Sequence, residues 1–279
     1  MKFEKMQGTG NDYIYFNLFE EKIDNPSDLS IKLSDRHFGV GGDGIVLIGP
    51  STEGDFSMRM FNADGSEAEM CGNASRCVAK YLYERGLTKK REIALDTKAG
   101  IKYLQLFIDP QTDTVERVRV NMGKAAFSSQ SIPVISELPE VIDQPLTIAG
   151  KEFRITCVSM GNPHTVIFMS GIDKLKIDEI GPKIENHPMF PQRTNVEFIE
   201  VVDRDTFKMR VWERGSGETL ACGTGACASV VAGVINDYCD TRVTVQLKGG
   251  DLEIEWDKIH NQVYLTGDAH FVFKGEIPD

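Results

Sequence analysis

The most restrictive feature of the sequence is an internal repeat at a constant spacing. The segment MRMFNADGSEAEMCGN begins at Met58 and aligns without a gap with MRVWERGSGETLACGT, which begins at Met209, an offset of 151 positions (209 − 58 = 151). The glycine–asparagine steps at residues 10–11 and 161–162 have the same offset. A constant offset over scattered motifs indicates an ancient duplication. We therefore expect two similar halves related by a pseudo-twofold axis.

Most of the chain has the alternating or short apolar runs that are typical of β-strands. The runs are YIYFN, IVLIG, FSMRMFNADG, KYLQLFID, RVRVNMG, FRITCVSMG, TVIFM, VEFIEV, FKMRVWERG, RVTVQLKGG, DLEIEW and QVYLTG. Three helices are expected, at residues 27–36 with Ser27 as the N-cap, at residues 71–85 and at residues 223–235. The last of these consists largely of small residues and should be buried. Residues 128–150 contain three prolines and form the natural joint.

The composition restricts the partners. The chain has 279 residues, of which 41% are hydrophobic, and a net charge of -11. An acidic chain without a stripe of Lys and Arg argues against a nucleic acid or an anionic membrane as the partner. The N-terminal MKFEKMQGTGND has no apolar stretch of a secretory signal, and the apolar residues 226–235 are too few to span a bilayer. We expect a cytoplasmic protein that does not bind membranes.

The six cysteines suggest neither a disulfide framework nor zinc. They are Cys71, Cys77, Cys157, Cys222, Cys227 and Cys239. A cytoplasmic chain of this length does not need disulfides, and the spacings are not CxxC. Most lone cysteines are small buried hydrophobes, which is the role expected for the four other than Cys71 and Cys222. Similarly, the glycines at 39, 41 and 44 fit GxGxxG but precede a strand instead of a helix, which favours a turn over a dinucleotide site.

Cys71 and Cys222 differ from the other cysteines. Each stands where a strand and a turn give way to a helix, is followed by glycine, and occupies the equivalent position in its half. The free N–H groups of a helix's first turn bind a carboxylate, and their partial charge lowers the pKa of a thiol. Two such units facing each other would place one sulfur on each side of an α-carbon. This arrangement suits removal of an α-proton from one face and return of a proton to the other, with the N–H groups stabilising the developing charge.

The motifs together resemble the diaminopimelate epimerase family. They are MCGN followed by an arginine and a second cysteine, ACGTGAC, WERGSGET, FNADGSE, GNPH and GTGND, and they extend from Met6 to about Cys227. The resemblance implies an α+β fold of two pseudo-symmetric domains, each a mainly antiparallel β-sheet wrapped around a central helix. It implies residues 1–117 plus 263–279 as the domain with Cys71, residues 118–262 as the domain with Cys222, and an active site in the cleft between them.

The resemblance also implies an activity and roles for individual residues. The activity is that of an isomerase without a cofactor, an amino-acid epimerase that interconverts L,L- and meso-diaminopimelate for lysine and peptidoglycan synthesis, and relatives suggest a homodimer. Cys71 and Cys222 would be the acid/base pair, assisted by His164. Glu213 would face the reacting ammonium, with Arg214 beside it. The reacting carboxylate would be bound by backbone N–H groups of Gly72, Asn73, Gly223 and Thr224. The distal end of the substrate would be held by Asn11, Asn62, Asn162 and Asn195.

Plainer interpretations stand beside these roles. Asn11 and Asn162 could be turn residues. Glu213 and Arg214 could be a solvated strand end, and His164 a hydrogen-bonded group that takes no part in chemistry. The sequence also departs from some relatives, with Gly44 in place of glutamine and Ala74 in place of glycine.

Two other functions remain open. A proline or hydroxyproline racemase would share the fold, but its substrate has no distal polar end for the four amides and Arg214 to hold. A thiol redox or metal-binding protein is the alternative of a different class, which metal analysis and thiol counting would identify.

Overall fold

The computed structural model describes residues 1–278 and contains eighteen strands and four α-helices in that range. The strands are β1 (Lys2–Gly8), β2 (Asn11–Asn17), β3 (Gly44–Gly49), β4 (Phe56–Asn62), β5 (Glu67–Ala68), β6 (Glu92–Thr97), β7 (Gly100–Asp109), β8 (Thr114–Gly123), β9 (Gln144–Ile148), β10 (Lys151–Ser159), β11 (Pro163–Phe168), β12 (Asn195–Asp203), β13 (Thr206–Glu213), β14 (Gly217–Glu218), β15 (Arg242–Leu247), β16 (Gly250–Asp257), β17 (Gln262–Gly267) and β18 (His270–Glu276). The helices are α1 (Pro26–Ser34), α2 (Gly72–Glu84), α3 (Ile177–Glu185) and α4 (Gly223–Ile235). None of the helices in the described range is long and apolar enough to cross a membrane.

The chain forms two compact units. Unit 1 comprises residues 1–121 together with the segment that starts at Thr266, and unit 2 comprises residues 122–265. In unit 1, β1 pairs antiparallel with both β2 and β18, β2 runs parallel to β3, and β3 pairs antiparallel with β4. The pairing continues from β4 to a parallel β6 and then to antiparallel β7 and β8.

Unit 2 repeats this order of pairings. The strand β10 pairs antiparallel with β11, β11 runs parallel to β12, and β12 pairs antiparallel with β13. The next steps are a parallel β13–β15 pair and an antiparallel β15–β16 pair. The helices α2 and α4 both have 13 residues, and their first residues differ by 151 positions (223 − 72 = 151). The internal duplication expected from the sequence is therefore confirmed.

Each unit wraps its sheet around one helix. In unit 1, α2 packs against β1 and β7, and eleven of its residues are buried. In unit 2, α4 packs against β16, β10 and β12, and its small residues from Gly225 to Gly233 are all buried. Small side chains allow strands to approach the helix on all sides. The fold class predicted from the sequence is confirmed, as is the burial of the helix at residues 223–235.

The first helix differs from its predicted bounds. It begins at Pro26 and its N-cap is Asn25, whose side-chain oxygen accepts a hydrogen bond from the Asp28 N–H at 3.3 Å, so the prediction of Ser27 as the cap is wrong. Proline suits the first helical position because its missing N–H has no helical partner there. The helix ends at Ser34 because Asp35 leaves the helical conformation (φ -57, ψ 123) and its carboxylate accepts hydrogen bonds from the His37 and Phe38 N–H groups of the next turn.

The glycine-rich segment before β3 is a turn, as the order of the elements predicts. A β-carbon on Gly39 would lie 2.5 Å from the Lys32 carbonyl oxygen, and one on Gly44 would lie 2.0 Å from the Phe61 carbonyl oxygen. These distances are far below contact, so packing alone requires both glycines. The absence of a side chain at Gly44 is therefore a consequence of how closely β4 approaches β3 here.

Candidate active site

Cys71 is the N-cap residue of α2 in unit 1. Its backbone is extended (φ -137, ψ 123), and its carbonyl oxygen accepts the first helical hydrogen bond, from the Ser75 N–H at 2.9 Å. The N–H groups of Gly72, Asn73 and Ala74 precede that bond and have no partner within the helix. The sulfur thus stands beside a first turn that can bind an anion.

Cys222 has the same place at the start of α4 in unit 2. It is extended (φ -129, ψ 107), and its carbonyl accepts from the Ala226 N–H at 2.9 Å. Neither cysteine uses its side chain to cap its helix. Both sulfurs therefore lie at a helix N-terminus but form no capping hydrogen bond with it. The N–H groups of Gly223 and Thr224 are available to an anion in the same way as those of Gly72 and Asn73.

Asn11 contacts the first of these thiols. The Cys71 Sγ donates to the Asn11 side-chain oxygen at 3.3 Å, and the Asn11 amide donates to Asp43 at 2.7 Å. Asn62, at the end of β4, instead donates to the Ser66 hydroxyl at 3.0 Å within the turn that follows. The substrate-binding role of both asparagines stays a prediction, but only Asn11 is in contact with the sulfur.

Arg76 is a residue of unit 1 to which the sequence assigned no role. Its guanidinium is fully buried and donates to the Asp268 carbonyl (2.8 Å), the Asn73 side-chain oxygen (2.7 Å) and the Thr9 hydroxyl (2.6 Å). These three acceptors are neutral oxygens. The arginine therefore fixes the Asn73 side chain at the anion-binding turn, and its positive charge interacts with the Cys71 thiol.

A chain of polar groups, of which Glu197 and His164 are fully buried, leads to Cys222 in unit 2. The His164 ring is fully buried, with Nδ1 at 2.7 Å from Glu197 and Nε2 at 3.0 Å from the Asn162 side-chain oxygen. The Asn162 amide lies 3.3 Å from the Thr224 hydroxyl, which is 3.5 Å from the Cys222 Sγ. His164 and Asn162 are thus linked to the Cys222 thiol through Thr224. Asn162 lies in the bend between β10 and β11, and the catalytic and substrate-binding roles of the two residues stay predictions.

Glu213 lies against the same thiol. Burial raises the pKa of Glu213, while hydrogen bonds from the Thr219 hydroxyl and the Cys222 thiol oppose that rise. Its side chain accepts directly from Thr219. Glu213 is the last residue of β13 and only partly exposed, so it is not a fully solvated strand end, and its role towards a substrate stays a prediction. A buried carboxyl close to a sulfur is suited to pairing with a substrate ammonium.

The pKa of Cys222 corrects one expectation. A helix N-terminus was expected to lower it, but burial and the nearby Glu213 and Glu197 raise the pKa of Cys222 well above its usual range. The thiol is only 6% exposed. The nearby Thr224 hydroxyl and Gly225 N–H lower the pKa of Cys222, as a helix N-terminus should, and are outweighed. Desolvation of the thiolate is thus the larger effect before substrate enters.

Asn195 and Arg214 contact each other through the backbone. The Arg214 N–H donates to the Asn195 side-chain oxygen at 2.9 Å, and the Asn195 amide donates to the Pro163 carbonyl at 2.9 Å. The Arg214 guanidinium donates to the Gln192 carbonyl at 3.1 Å. Asn195 therefore shapes the backbone around Arg214, and contact of either residue with a substrate stays a prediction.

The remaining four cysteines are buried, as predicted. Burial raises the pKa of Cys77 to about 11 and the pKa values of Cys157 and Cys239 to about 12. Cys227 is fully buried on α4. None of the six cysteines, all within residues 1–278, forms a disulfide, and Cys71 is the most accessible of them.

Comparison with known proteins decides the family. The sequence model described as "Diaminopimelate epimerase" matches residues 3–128 and 156–272. The chain is 56% identical over 277 residues to a diaminopimelate epimerase of Acetivibrio thermocellus, with 99% of this chain and 98% of that one covered. It belongs to the diaminopimelate epimerase family. A relative of the same name from Methanococcus maripaludis is 53% identical over 277 residues, with 99% of both chains covered.

Solved structures confirm the fold of this diaminopimelate epimerase family member. A PhzF-family phenazine biosynthesis protein of Bacillus anthracis superposes with a TM-score of 0.72 at 18% identity, covering 100% of this chain and 99% of that one. A hydroxyproline epimerase of Agrobacterium vitis, with bound trans-4-hydroxy-L-proline, gives 0.68 at 14% identity over 99% and 90% of the two chains. Similarity at such low identities shows only a shared fold, so the substrate has to be inferred from the residues of the site.

Proposed function

We propose that this chain catalyses the cofactor-independent epimerisation of L,L-diaminopimelate to meso-diaminopimelate, a step that supplies precursors of lysine and peptidoglycan. The observation that carries the proposal is the pair of equivalent N-cap thiols, Cys71 and Cys222, in a chain more than half identical to proteins of that name. Each thiol stands beside free N–H groups that suit the carboxylate of an amino acid.

The chemistry follows from the first turns of the helices α2 and α4. The substrate carboxylate accepts hydrogen bonds from N–H groups of Gly72 and Asn73 and from those of Gly223 and Thr224. One sulfur, as thiolate, takes the α-proton, and charge moves onto the carboxylate oxygens that the N–H groups stabilise. The other sulfur, as thiol, gives its proton to the opposite face. The stereocentre is inverted, and the two sulfurs have exchanged protonation states.

Other groups orient the substrate. Glu213 pairs with the reacting ammonium, which is the positively charged partner that a carboxylate in a poorly hydrated position needs. The ammonium in turn replaces part of the hydration that burial removes. The amides of Asn11, Asn62, Asn162 and Asn195, with Arg214, hold the distal amino-acid end, and His164 assists proton movement near Cys222. The distal zwitterion distinguishes this substrate from proline or hydroxyproline, which present no such group.

The direct test is turnover of L,L-diaminopimelate in deuterated water without any added cofactor. We expect conversion to the meso isomer, with one deuterium at the inverted α-carbon, because the returning proton comes from a solvent-exchanged thiol. Treatment with a chelator and with a carbonyl reagent that removes PLP should not reduce the rate. Mass spectrometry and chiral chromatography measure both results.

Proline and trans-4-hydroxyproline serve as control substrates in the same assay. Their racemisation in place of diaminopimelate epimerisation would reject the proposal in favour of the rival activity. Loss of turnover after chelation or carbonyl treatment, with recovery on adding the metal or PLP, would contradict a cofactor-independent mechanism.

We also propose that the enzyme is a cytoplasmic homodimer. A reducing compartment keeps the catalytic thiols available, which supports the location. The side chains of Val272 and Phe273 on β18 are about half exposed, which supports association through unit 1. Light scattering should give twice the chain mass, and Val272→Lys should shift it towards the monomer. A monomeric mass for the unmodified protein at micromolar concentration would contradict this.

A further inference from the structure

Asp43 is a carboxyl of unit 1 that lies next to the asparagine at the first thiol. It belongs to the glycine-rich segment before β3. Its backbone N–H donates to the Asp12 carbonyl at 2.7 Å, and its own carbonyl accepts from the Ala63 N–H at 3.0 Å. Both backbone groups are therefore bonded, which fixes the place from which the side chain reaches Asn11.

The carboxylate of Asp43 accepts three hydrogen bonds. Its Oδ2 accepts from the Asn11 side-chain amide at 2.7 Å and from the Asp12 backbone N–H at 3.1 Å. Its Oδ1 accepts from Arg36 at 2.9 Å. Because a carboxylate can only accept, the Asn11 amide has to keep its NH2 group on this side.

A network of two cations and two carboxylates holds Asp43 in place. Arg36 also forms a bidentate pair with Asp12, at 2.7 and 3.1 Å. Lys5, whose side chain is only 7% exposed, lies 2.7 Å from the same carboxylate. Burial would raise the pKa of Asp12, but the hydrogen bonds from Arg36 and Lys5 lower it below its ordinary value. The four charges balance, and Arg36 links the two carboxylates.

The other side of the Asn11 amide faces the sulfur. The Cys71 Sγ donates to the Asn11 side-chain oxygen at 3.3 Å. A thiol can donate or weakly accept, so the sulfur does not decide which end of the amide it meets. The contact with Asp43 decides it, with the NH2 group towards the carboxylate and the oxygen towards the thiol.

We propose that Asp43, held by Arg36, is a positioning residue that orients the Asn11 side chain and so keeps an acceptor oxygen, instead of a donor N–H, against the Cys71 sulfur. Donors stabilise a thiolate, whereas an oxygen repels it. This contact therefore favours the protonated thiol, while the positive charge of Arg76 acts on the same sulfur in the opposite direction.

The same orientation restricts what a substrate can offer at this oxygen. A group that takes the place of the thiol there has to donate a hydrogen bond, and a carboxylate would be repelled. In the proposed function, on which this step alone rests, the distal ammonium of diaminopimelate is such a donor.

The equivalent asparagine of unit 2 has the opposite orientation. Asn162 lies 151 positions after Asn11, and its NH2 group is directed at the Thr224 hydroxyl, which is 3.5 Å from the Cys222 sulfur. The repeat places Thr194 where unit 1 has the carboxyl (194 − 43 = 151). Unit 2 therefore lacks this anchor, and Cys222 is an internal reference for measurements on the first thiol.

The experiment compares alkylation of Cys71 by iodoacetamide near neutral pH in Asp43→Ala and in the unmodified enzyme, with peptide mapping and Cys222 as the reference. Without the carboxylate, the Asn11 amide can turn an N–H group to the thiolate. We expect the ratio of the Cys71 rate to the Cys222 rate to rise about tenfold, as for the gain of a hydrogen bond to a charged group.

The variant Asp43→Asn separates orientation from charge. Asparagine has no charge, but its oxygen can still accept from the Asn11 amide and the Asp12 N–H, since Arg36 keeps its bidentate pair with Asp12. This variant should therefore keep a nearly normal ratio. An equal rise in Asp43→Ala and Asp43→Asn would show an effect of charge alone and overturn the proposal.

A double-variant cycle tests whether the effect passes through Asn11. In Asn11→Ala the amide is absent, so the further change Asp43→Ala should leave the ratio as it is in Asn11→Ala. A rise that persists without the amide, or an unchanged ratio in Asp43→Ala alone, would contradict the positioning role.

Asp55→Ala is the matched control. Asp55 is another carboxylate of unit 1 that accepts from a cation, Lys90, and from a backbone N–H, that of Ala94. It should leave the ratio unchanged. The Asp43 and Arg36 side chains are 38% and 57% exposed, so the variants should fold, which circular dichroism checks. None of these measurements uses diaminopimelate, so absence of epimerase activity would reject the proposed function without affecting this result.

Discussion

Single replacement of Cys71 or Cys222 by alanine is expected to lower epimerisation by about 10³-fold or more, because inversion needs a base on one face and an acid on the other. Each variant keeps one sulfur and can still take the α-proton from one stereoisomer. A diaminopimelate analogue with a leaving group on the β-carbon does not need the second proton, since loss of that group follows proton removal. Each single variant should therefore retain elimination.

The two variants should prefer opposite stereoisomers of the analogue at the α-carbon. The double variant Cys71→Ala/Cys222→Ala should catalyse neither reaction, and Cys227→Ala, a buried cysteine on α4, is the matched control that should keep both. Chiral chromatography of the remaining analogue measures the preference. If both single variants eliminate from the same isomer, one cysteine is not a base and the symmetric interpretation of the repeat is wrong.

Replacement of Arg76 by methionine is expected to destabilise unit 1 by at least about 3 kcal/mol. The change removes three hydrogen bonds from a charged donor and leaves the buried Thr9 and Asn73 side chains and the partly buried Asp268 carbonyl without that donor. Both tryptophans, Trp212 and Trp256, are in unit 2, so their fluorescence reports mainly on that unit. Hydrogen exchange by mass spectrometry should show lost protection in peptides of α2 and β1, with little change in the tryptophan transition.

Arg85→Met is the control for this experiment. Arg85 is the C-cap residue at the opposite end of the same helix and forms a partly exposed pair with Glu4, and such pairs contribute up to about 1 kcal/mol. Its peptides should keep nearly normal protection. Equal exchange in the two variants would show that the buried guanidinium does not stabilise the first turn of α2.

The sequence predicts this fold well wherever the repeat or the hydrophobic period is strong. Residues 223–235 form α4 within the predicted bounds because small apolar residues fill a helix surrounded by strands. Other elements lack such a signal. The helix α3 contains Gly181 and Pro182, which ordinarily interrupt helices. The strand β18 has five residues that remain exposed, and β9 lies in the segment expected to be a joint.

For the site, too, the sequence reveals only those residues that have a clear sequence signal. The thiols are found from the sequence because each precedes glycine at an equivalent position of the repeat. Glu197 is not found, since in the run VEFIEV the alternating pattern places it on the solvent face, whereas β12 is buried on both faces from Asn195 to Ile199. Arg76 is similarly hidden, because a charged residue on a helix is normally exposed. Buried charges depend on tertiary packing that a sequence pattern does not contain.

The pairing of β1 with β18 has a consequence for synthesis of the protein. Residues 122–265 make up unit 2 as one continuous stretch, whereas unit 1 needs β18 and the Asp268 carbonyl as well as the first 121 residues. A ribosome delivers these groups only after the whole of unit 2 has been made. The later half of the repeat can therefore complete its fold during translation, while the earlier half, with Cys71, waits with an open strand edge that a chaperone could recognise.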